Sequence, residues 1–270
     1  METFSAPSRT NRIGALTAAV LLTFALTRLL PSSEVDLRIA LGDFFFTYPV
    51  NLTTALTLLA AGLTATGVDW LLRGHPAFGN RPSVEHWLLP TLTTIVTGIP
   101  LSLLPNGFSW WATFAVAGVA LVIVIFAEYT VVDSAAPNYA ISTILLSALS
   151  FAIYLILLVA LHSTGPRLVI MLPSIFAASA LVSLRVLRLR LPGRWEWLWT
   201  AGIALISVQL ASALHYWPIT PLRFGLVLLG PFYALTSLAG NLQENLPLRR
   251  AMTEPLLALA AAWIAAALLG

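Results

Sequence analysis

The chain contains no cysteine and no lysine, and only 9% of its 270 residues are charged, against about 25% in an ordinary soluble domain. Without cysteine there can be no disulfide, thiolate metal site, iron–sulfur cluster or thiol redox chemistry. Without lysine there is no amine for a retinal or pyridoxal Schiff base, nor for a Walker-type phosphate loop. Retinal pumps and nucleotide-driven motors are thereby excluded. The fourteen basic residues are all arginine, and the net charge is only +3. They sit in short connections between apolar runs, a membrane pattern that speaks against a nucleic-acid partner.

What the chain does have is apolar length. Hydrophobic residues make up 59% and the mean hydropathy is +0.89, which excludes a soluble globular protein and predicts an all-α, polytopic transmembrane helix bundle. The runs are Ile13 to Leu30, Val50 to Leu72, Trp87 to Leu104, Phe108 to Ala127, Ala140 to Leu161, Leu168 to Leu184, Glu196 to Tyr216, Leu222 to Gly240 and Pro255 to Gly270. They predict about nine spans. Eight is the alternative, because the last run reaches only about 24 Å at 1.5 Å per residue, short of a hydrocarbon core of about 30 Å. Pro105-Asn106-Gly107, Ser163-Thr164-Gly165-Pro166 and Trp217-Pro218-Ile219-Thr220-Pro221 mark turns. With connections this short, residues 1–270 read as a single integral membrane domain with no soluble domain. The first run follows Arg9 and Arg12, and no small-residue cleavage site comes after it, so it reads as an uncleaved signal anchor.

Arginine placement sets the expected orientation. With the N-terminus cytoplasmic, that side holds Arg9, Arg12, Arg73, Arg81, Arg185, Arg188, Arg190, Arg194, Arg249 and Arg250; the other holds Arg28, Arg38, Arg167 and Arg223. This asymmetry predicts a cell-membrane protein with its C-terminus outside if nine spans are crossed. Arg28 and Arg223 are expected at the outer boundary, snorkelling to headgroups or paired with Glu34, Asp36 or Asp43. Residues 34–48 form an unusual connector: Val35, Leu37, Ile39 and Leu41 alternate with Asp36, Arg38 and Ala40, then Phe44-Phe45-Phe46 follow. A plain interfacial loop is one reading. A short extended segment across the outer mouth is the other.

Reactive constellations are missing from the sequence. No carboxylate falls near the middle of a span, which counts against a proton pump. No histidine pair shares a helical face, no G-x-S-x-G appears, and paired-aspartate prenyltransferase signatures are lacking, so no metal, cofactor or catalytic residue is expected. Polar residues instead form stripes at helical spacing: Thr143, Ser147, Ser150 and Tyr154; Gly230, Tyr233, Ser237, Asn241 and Glu244; Gly202, Gln209, Ser212 and Tyr216; Thr53, Thr57, Thr64 and Gly67. Such faces either pack helix on helix or line a polar cavity. A cavity would open to the cytoplasmic half and be lined by Asp69, Glu128, Thr143, Ser147, Tyr233, Ser237, Asn241 and Glu244, with the two acids alternatively solvated or paired to arginine. Arg185, Arg188, Arg190 and Arg194, followed by Trp195, Trp197 and Trp199, are candidates for contact with anionic lipid, or else form a generic lipid anchor.

Three classes of function fit these features. A non-catalytic membrane subunit or scaffold comes first, with membrane lipids and other membrane subunits as partners. A small-solute or lipid transporter comes second, and an enzyme acting on a lipid or polyprenyl phosphate third.

The orientation is directly testable because the native chain offers no thiol background. Single cysteines at Gly193 and Gln243 should resist an impermeant reagent in intact cells, while those at Asn106 and Ser163 should react. Labelling at Gly193 would reverse the topology.

Overall fold

In lipid the backbone has no hydrogen-bond partner but itself, so long apolar runs must close as helices. The structure, a computed structural model, describes residues 9–29, 34–41, 44–79, 82–105 and 107–269, without the side chains of residues 9, 28 and 34–50. The described helices are α1 (Arg9–Leu29), α2 (Leu52–Arg73), α3 (Val84–Leu103), α4 (Phe108–Val131), α5 (Tyr139–Thr164), α6 (Leu168–Arg190), α7 (Trp197–Leu214), α8 (Pro221–Gln243) and α9 (Leu248–Leu268). Eight of them are long and apolar enough to cross a membrane, and α3 is the exception. Its first turn carries Glu85, and Pro90 and Pro100 lie inside it among several threonines.

The shortfall expected in the last run therefore disappears. Helix α9 begins at Leu248 behind Pro247 and has 21 residues, about 31 Å at 1.5 Å per residue. Arg249, Arg250 and Glu254, which look like connector in the sequence, belong to its first turns, because long charged side chains near a helix end can reach polar surroundings. Helix α6 likewise runs on through Arg185 and Arg188 to Arg190. The connector before α2 is neither a plain loop nor a lone extended segment. Its backbone forms an antiparallel hairpin of β1 (Glu34–Leu41) and β2 (Phe44–Asn51), with Leu41 opposite Phe44 and Glu34 opposite Asn51. Pairing gives both strands partners for their N–H and C=O groups. Gly42 and Asp43, and the side chains expected to meet Arg28 and Arg223, lie outside the described residues.

Contacts divide the chain into two compact units, Met1–Ser134 and Ala135–Gly270. In the first, α1 and α3 each pack against both α2 and α4. Val20, Phe24, Ala60, Leu72, Leu101, Leu121 and Ile125 form its core. Polar bonds also cross between helices here, among them the Thr64 and Thr94 hydroxyls at 2.9 Å and the Trp110 indole N–H donating to the Leu101 carbonyl at 3.0 Å. The hairpin leads into α2 through Asn51, whose side chain accepts from the Thr54 N–H at 2.9 Å and so caps the helix.

In the second unit α8 packs against α5, α6, α7 and α9, and α6 packs against α5 and α7. Tyr154, Leu158, Met171, Ile175, Phe224 and Phe232 fill its core. The Tyr154 hydroxyl bonds that of Ser179 across α5 and α6 at 2.8 Å. Pro231 leaves the Val227 carbonyl without its helical donor, and the Trp263 indole N–H of α9 donates to that carbonyl at 3.3 Å. In both units large apolar side chains face outward, Leu58, Leu59, Val116 and Val119 in the first and Ile141, Ile144, Leu256, Leu257 and Ile264 in the second. Water would penalise such surfaces heavily, whereas acyl chains match them.

Gly230 tests the tightness of the α8–α9 seam. A Cβ there would meet the Ala262 and Leu259 side chains at 3.1 Å, whereas nothing lies within 4 Å of one at Gly202. Gly230→Val should overpack the seam at a cost of about 1–3 kcal/mol, and lower the melting temperature in detergent. Gly202→Val should leave it unchanged, and equal melting of the two variants would contradict the packing.

Candidate functional site

The second unit encloses a cleft of about 360 Å³ lined by α5, α6, α8 and α9. Local sequence explains the shape. On α5 the four-residue spacing puts Thr143, Ser147 and Phe151 on one face with Ile144 and Ala148 beside them. The Thr143 and Ser147 hydroxyls donate back to the carbonyls of Tyr139 and Thr143, each at 2.9 Å, which satisfies them without a partner helix. On α8 the same spacing lines up Tyr233 and Ser237. Val186 and Arg190 come from the end of α6, and Glu254 from the second turn of α9. The lining is therefore mixed. The polar wall formed by α6, α8 and α9 gathers a hydroxyl pair, a carboxylate and a guanidinium.

The polar wall is tightly organised. Tyr233 O–H donates to Glu254 Oε1 at 2.5 Å, and Ser237 O–H donates to Glu254 Oε2 at 2.9 Å. Arg190 donates through Nη2 to Asn241 Oδ1 at 2.8 Å, and its Nε and Nη2 reach Glu244 Oε1 at 3.1 and 3.0 Å. A third contact runs from Nη1 to the Ser237 carbonyl at 3.4 Å. The Asn241 amide then donates to the Ala251 carbonyl of α9 at 2.9 Å, so one guanidinium ties together the ends of α6, α8 and α9. Gly240 makes room for it: a Cβ at that position would lie 2.8 Å from Nη1.

Of the eight residues expected around a cavity, the structure brings Thr143, Ser147, Tyr233 and Ser237 to the lining, and puts Asn241 and Glu244 on Arg190 beside it. Asp69 and Glu128 belong to the first unit. Asp69 accepts from Arg73 Nε at 2.8 Å and from the Ser83 hydroxyl. Glu128 is fully buried and accepts from His86 Nδ1 at 2.9 Å. The polar stripes thus divide by role: Thr64, Ser150 and Tyr154 are buried within helix packing, and the lower half of the α5 stripe borders space.

The arginine cluster is engaged within the protein. Arg185 is buried. Arg188 holds its guanidinium over the Trp195 ring, 5.3 Å from the centroid, and Arg194 pairs with Glu196 at 3.0 Å. Arg190 and Glu254 are lining residues that the sequence suggests for other places, the first as a lipid contact and the second in a connector. The signal for Glu254 was its spacing of three from Ala251 and four from Arg250 in a run free of turn residues before Pro255.

Among the described residues no cluster of His, Asp and Glu has the makings of a metal site. The unit's two histidines are engaged away from the cleft: His162 Nε2 donates to the Ile219 carbonyl at 3.1 Å, and His215 Nδ1 contacts Met171 Sδ at 3.1 Å.

A family model described as Protein of unknown function (DUF5656) matches residues 31–269. No curated protein and no solved structure matches the chain.

Removing the guanidinium should cost more than removing its counter-ion. Arg190→Leu leaves Glu244 and Asn241 without their donor, and since the pair is about a third exposed the loss should be about 1–2 kcal/mol. Arg190→Lys should recover less than half of it, because an ammonium lacks the planar fork. Full recovery of melting temperature in the lysine variant would show that only the charge matters.

Proposed function

The chain belongs to this family of unknown function, and we propose that it is a multi-pass protein of the cell membrane that holds a membrane amphiphile in the cleft of its second unit without transforming it. The observation that carries this reading is the mixed lining: Ile144, Ala148, Phe151 and Val186 supply apolar surface, while Thr143, Ser147, Tyr233, Ser237, Arg190 and Glu254 supply polar groups. An apolar pocket with a few convergent polar groups is the usual form of a small-molecule site, and its volume lies in the usual range of about 300–1,000 Å³. A molecule that is polar at one end and apolar at the other satisfies both kinds of surface.

The orientation proposed from the arginine distribution has a cytoplasmic N-terminus and puts the cleft in the cytoplasmic half of the bundle, where α5 begins and α6 and α8 end. A scaffold that docks other membrane subunits is the second reading. It is favoured by α9, whose Leu256, Leu257 and Ile264 are exposed. An enzyme using Asp69 and Glu128 to activate a phosphate is less well supported, since each carboxylate is already hydrogen-bonded inside the first unit.

Filling the cleft is the test. Ala148→Trp projects an indole into it from an exposed position on α5, so folding should survive. Protein extracted gently and examined by lipid mass spectrometry should carry a bound amphiphile in the wild type, and roughly tenfold less in the variant, a change of about 1.4 kcal/mol in occupancy. Equal lipid content in both would remove the cleft as a binding site.

A further inference from the structure

Charge balance and ring placement in the cleft decide which headgroup it suits. We infer that the ligand end seated on the polar wall is a primary ammonium, held by Glu254 beside the paired rings of Tyr233 and Phe151. This assignment rests on the amphiphile-binding reading and specifies its chemistry.

The single cation of the lining is already spent. Arg190 is neutralised by Glu244, and its donors are directed to Glu244, Asn241 and the Ser237 carbonyl. Among the described residues Glu254 makes no close ion pair; its two oxygens receive hydrogen bonds from the neutral hydroxyls of Tyr233 and Ser237, and Asn241 and the charge of Arg190 act on it from the same wall. Arg190, Glu244 and Glu254 together carry a net charge of −1, and in a partly desolvated cleft that excess repels phosphate or carboxylate and attracts a cation.

Geometry supplies the remaining recognition. A carboxylate has about four lone-pair sites, and Tyr233, Ser237 and Asn241 engage it here, which leaves an acceptor for an N–H donor. Beside it the Phe151 and Tyr233 rings stand 4.8 Å apart, centroid to centroid, at 56°, presenting π faces of the kind that attract ammonium groups. The Thr143 and Ser147 oxygens add neutral acceptors on the facing helix. A primary ammonium, with three N–H groups, uses all of these, whereas a trimethylammonium uses only the rings. Behind the polar wall, Ile144, Ala148 and Val186 offer an apolar track for the first methylenes of a chain. The same headgroup chemistry occurs in a bilayer aminophospholipid and in a free alkylamine.

The test titrates detergent-solubilised full-length protein with decylammonium, decyltrimethylammonium and decyl phosphate, reading the melting temperature and the binding isotherm. Decylammonium should bind at least tenfold more tightly than either of the others. Glu254→Gln keeps a hydrogen-bonding amide for Tyr233 and Ser237 and should weaken decylammonium at least tenfold. If that variant fails to fold, Phe151→Leu takes its place, with a severalfold loss for decylammonium and no change for decyl phosphate. Nanodiscs separate the two sources: competition by phosphatidylethanolamine but not phosphatidylcholine identifies a bilayer headgroup, and competition by neither identifies a free amine. Unaltered decylammonium affinity in Glu254→Gln overturns the assignment. So does tighter binding of decyl phosphate; if Ala148→Trp abolishes that binding, the cleft still holds an amphiphile and only the ammonium falls. If no probe binds and Ala148→Trp changes nothing, the amphiphile-binding reading itself fails.

Discussion

The fork of Arg190 is the interaction on which the organisation of the second unit depends. It terminates α6, grips Asn241 and Glu244 at the end of α8, and through Asn241 reaches the Ala251 carbonyl of α9. Nothing apolar does this work at that level of the bundle, because Gly240 has no side chain to fill the gap. A planar cation with five donors is well suited to joining three helix ends, and a positive charge at a helix C-terminus is electrostatically favourable. Once Arg190 is committed, the carboxylate of Glu254 is left to the two hydroxyls, and the cleft acquires its character.

That arrangement bears on how an amphiphile would enter. Helix α8 packs against α5 and α9, and the polar wall runs from Arg190 at the end of α6 to Tyr233 at the middle of α8. A charged headgroup seated there needs a partner such as Glu254, because burying a charge in hydrocarbon costs several kcal/mol or more. The chain of such a ligand would follow apolar side chains like those exposed elsewhere on the unit. Binding in such a place exchanges one lipid-like contact for another, and its specificity comes from the polar groups.

The first unit solves a different problem with similar residues. Several of its polar groups pair across helices: Thr64 with Thr94, Glu128 with His86, and Asp69 with Ser83. Where a hydroxyl or carboxylate in a helix bundle finds a partner on a neighbouring helix, the helices close together and no space remains. Thr143 and Ser147 bond only to their own helix, and it is beside them that space persists.

Amphipathic length and arginine placement were enough to predict helices and their approximate number, because in lipid the backbone has no alternative to bonding within itself. The hydroxyl stripe of α5 and the Tyr233–Ser237 pair of α8 were legible too, since helical spacing alone places them on common faces. Charged residues at helix ends were not. Arg190 and Glu254 read as connector in one dimension, yet both are helical, and only packing of α6, α8 and α9 brings them to a common wall. Depth along a span can be counted from sequence, but which helices become neighbours depends on side-chain fit at close approaches such as Gly230 and Gly240, and that is decided by the tertiary structure.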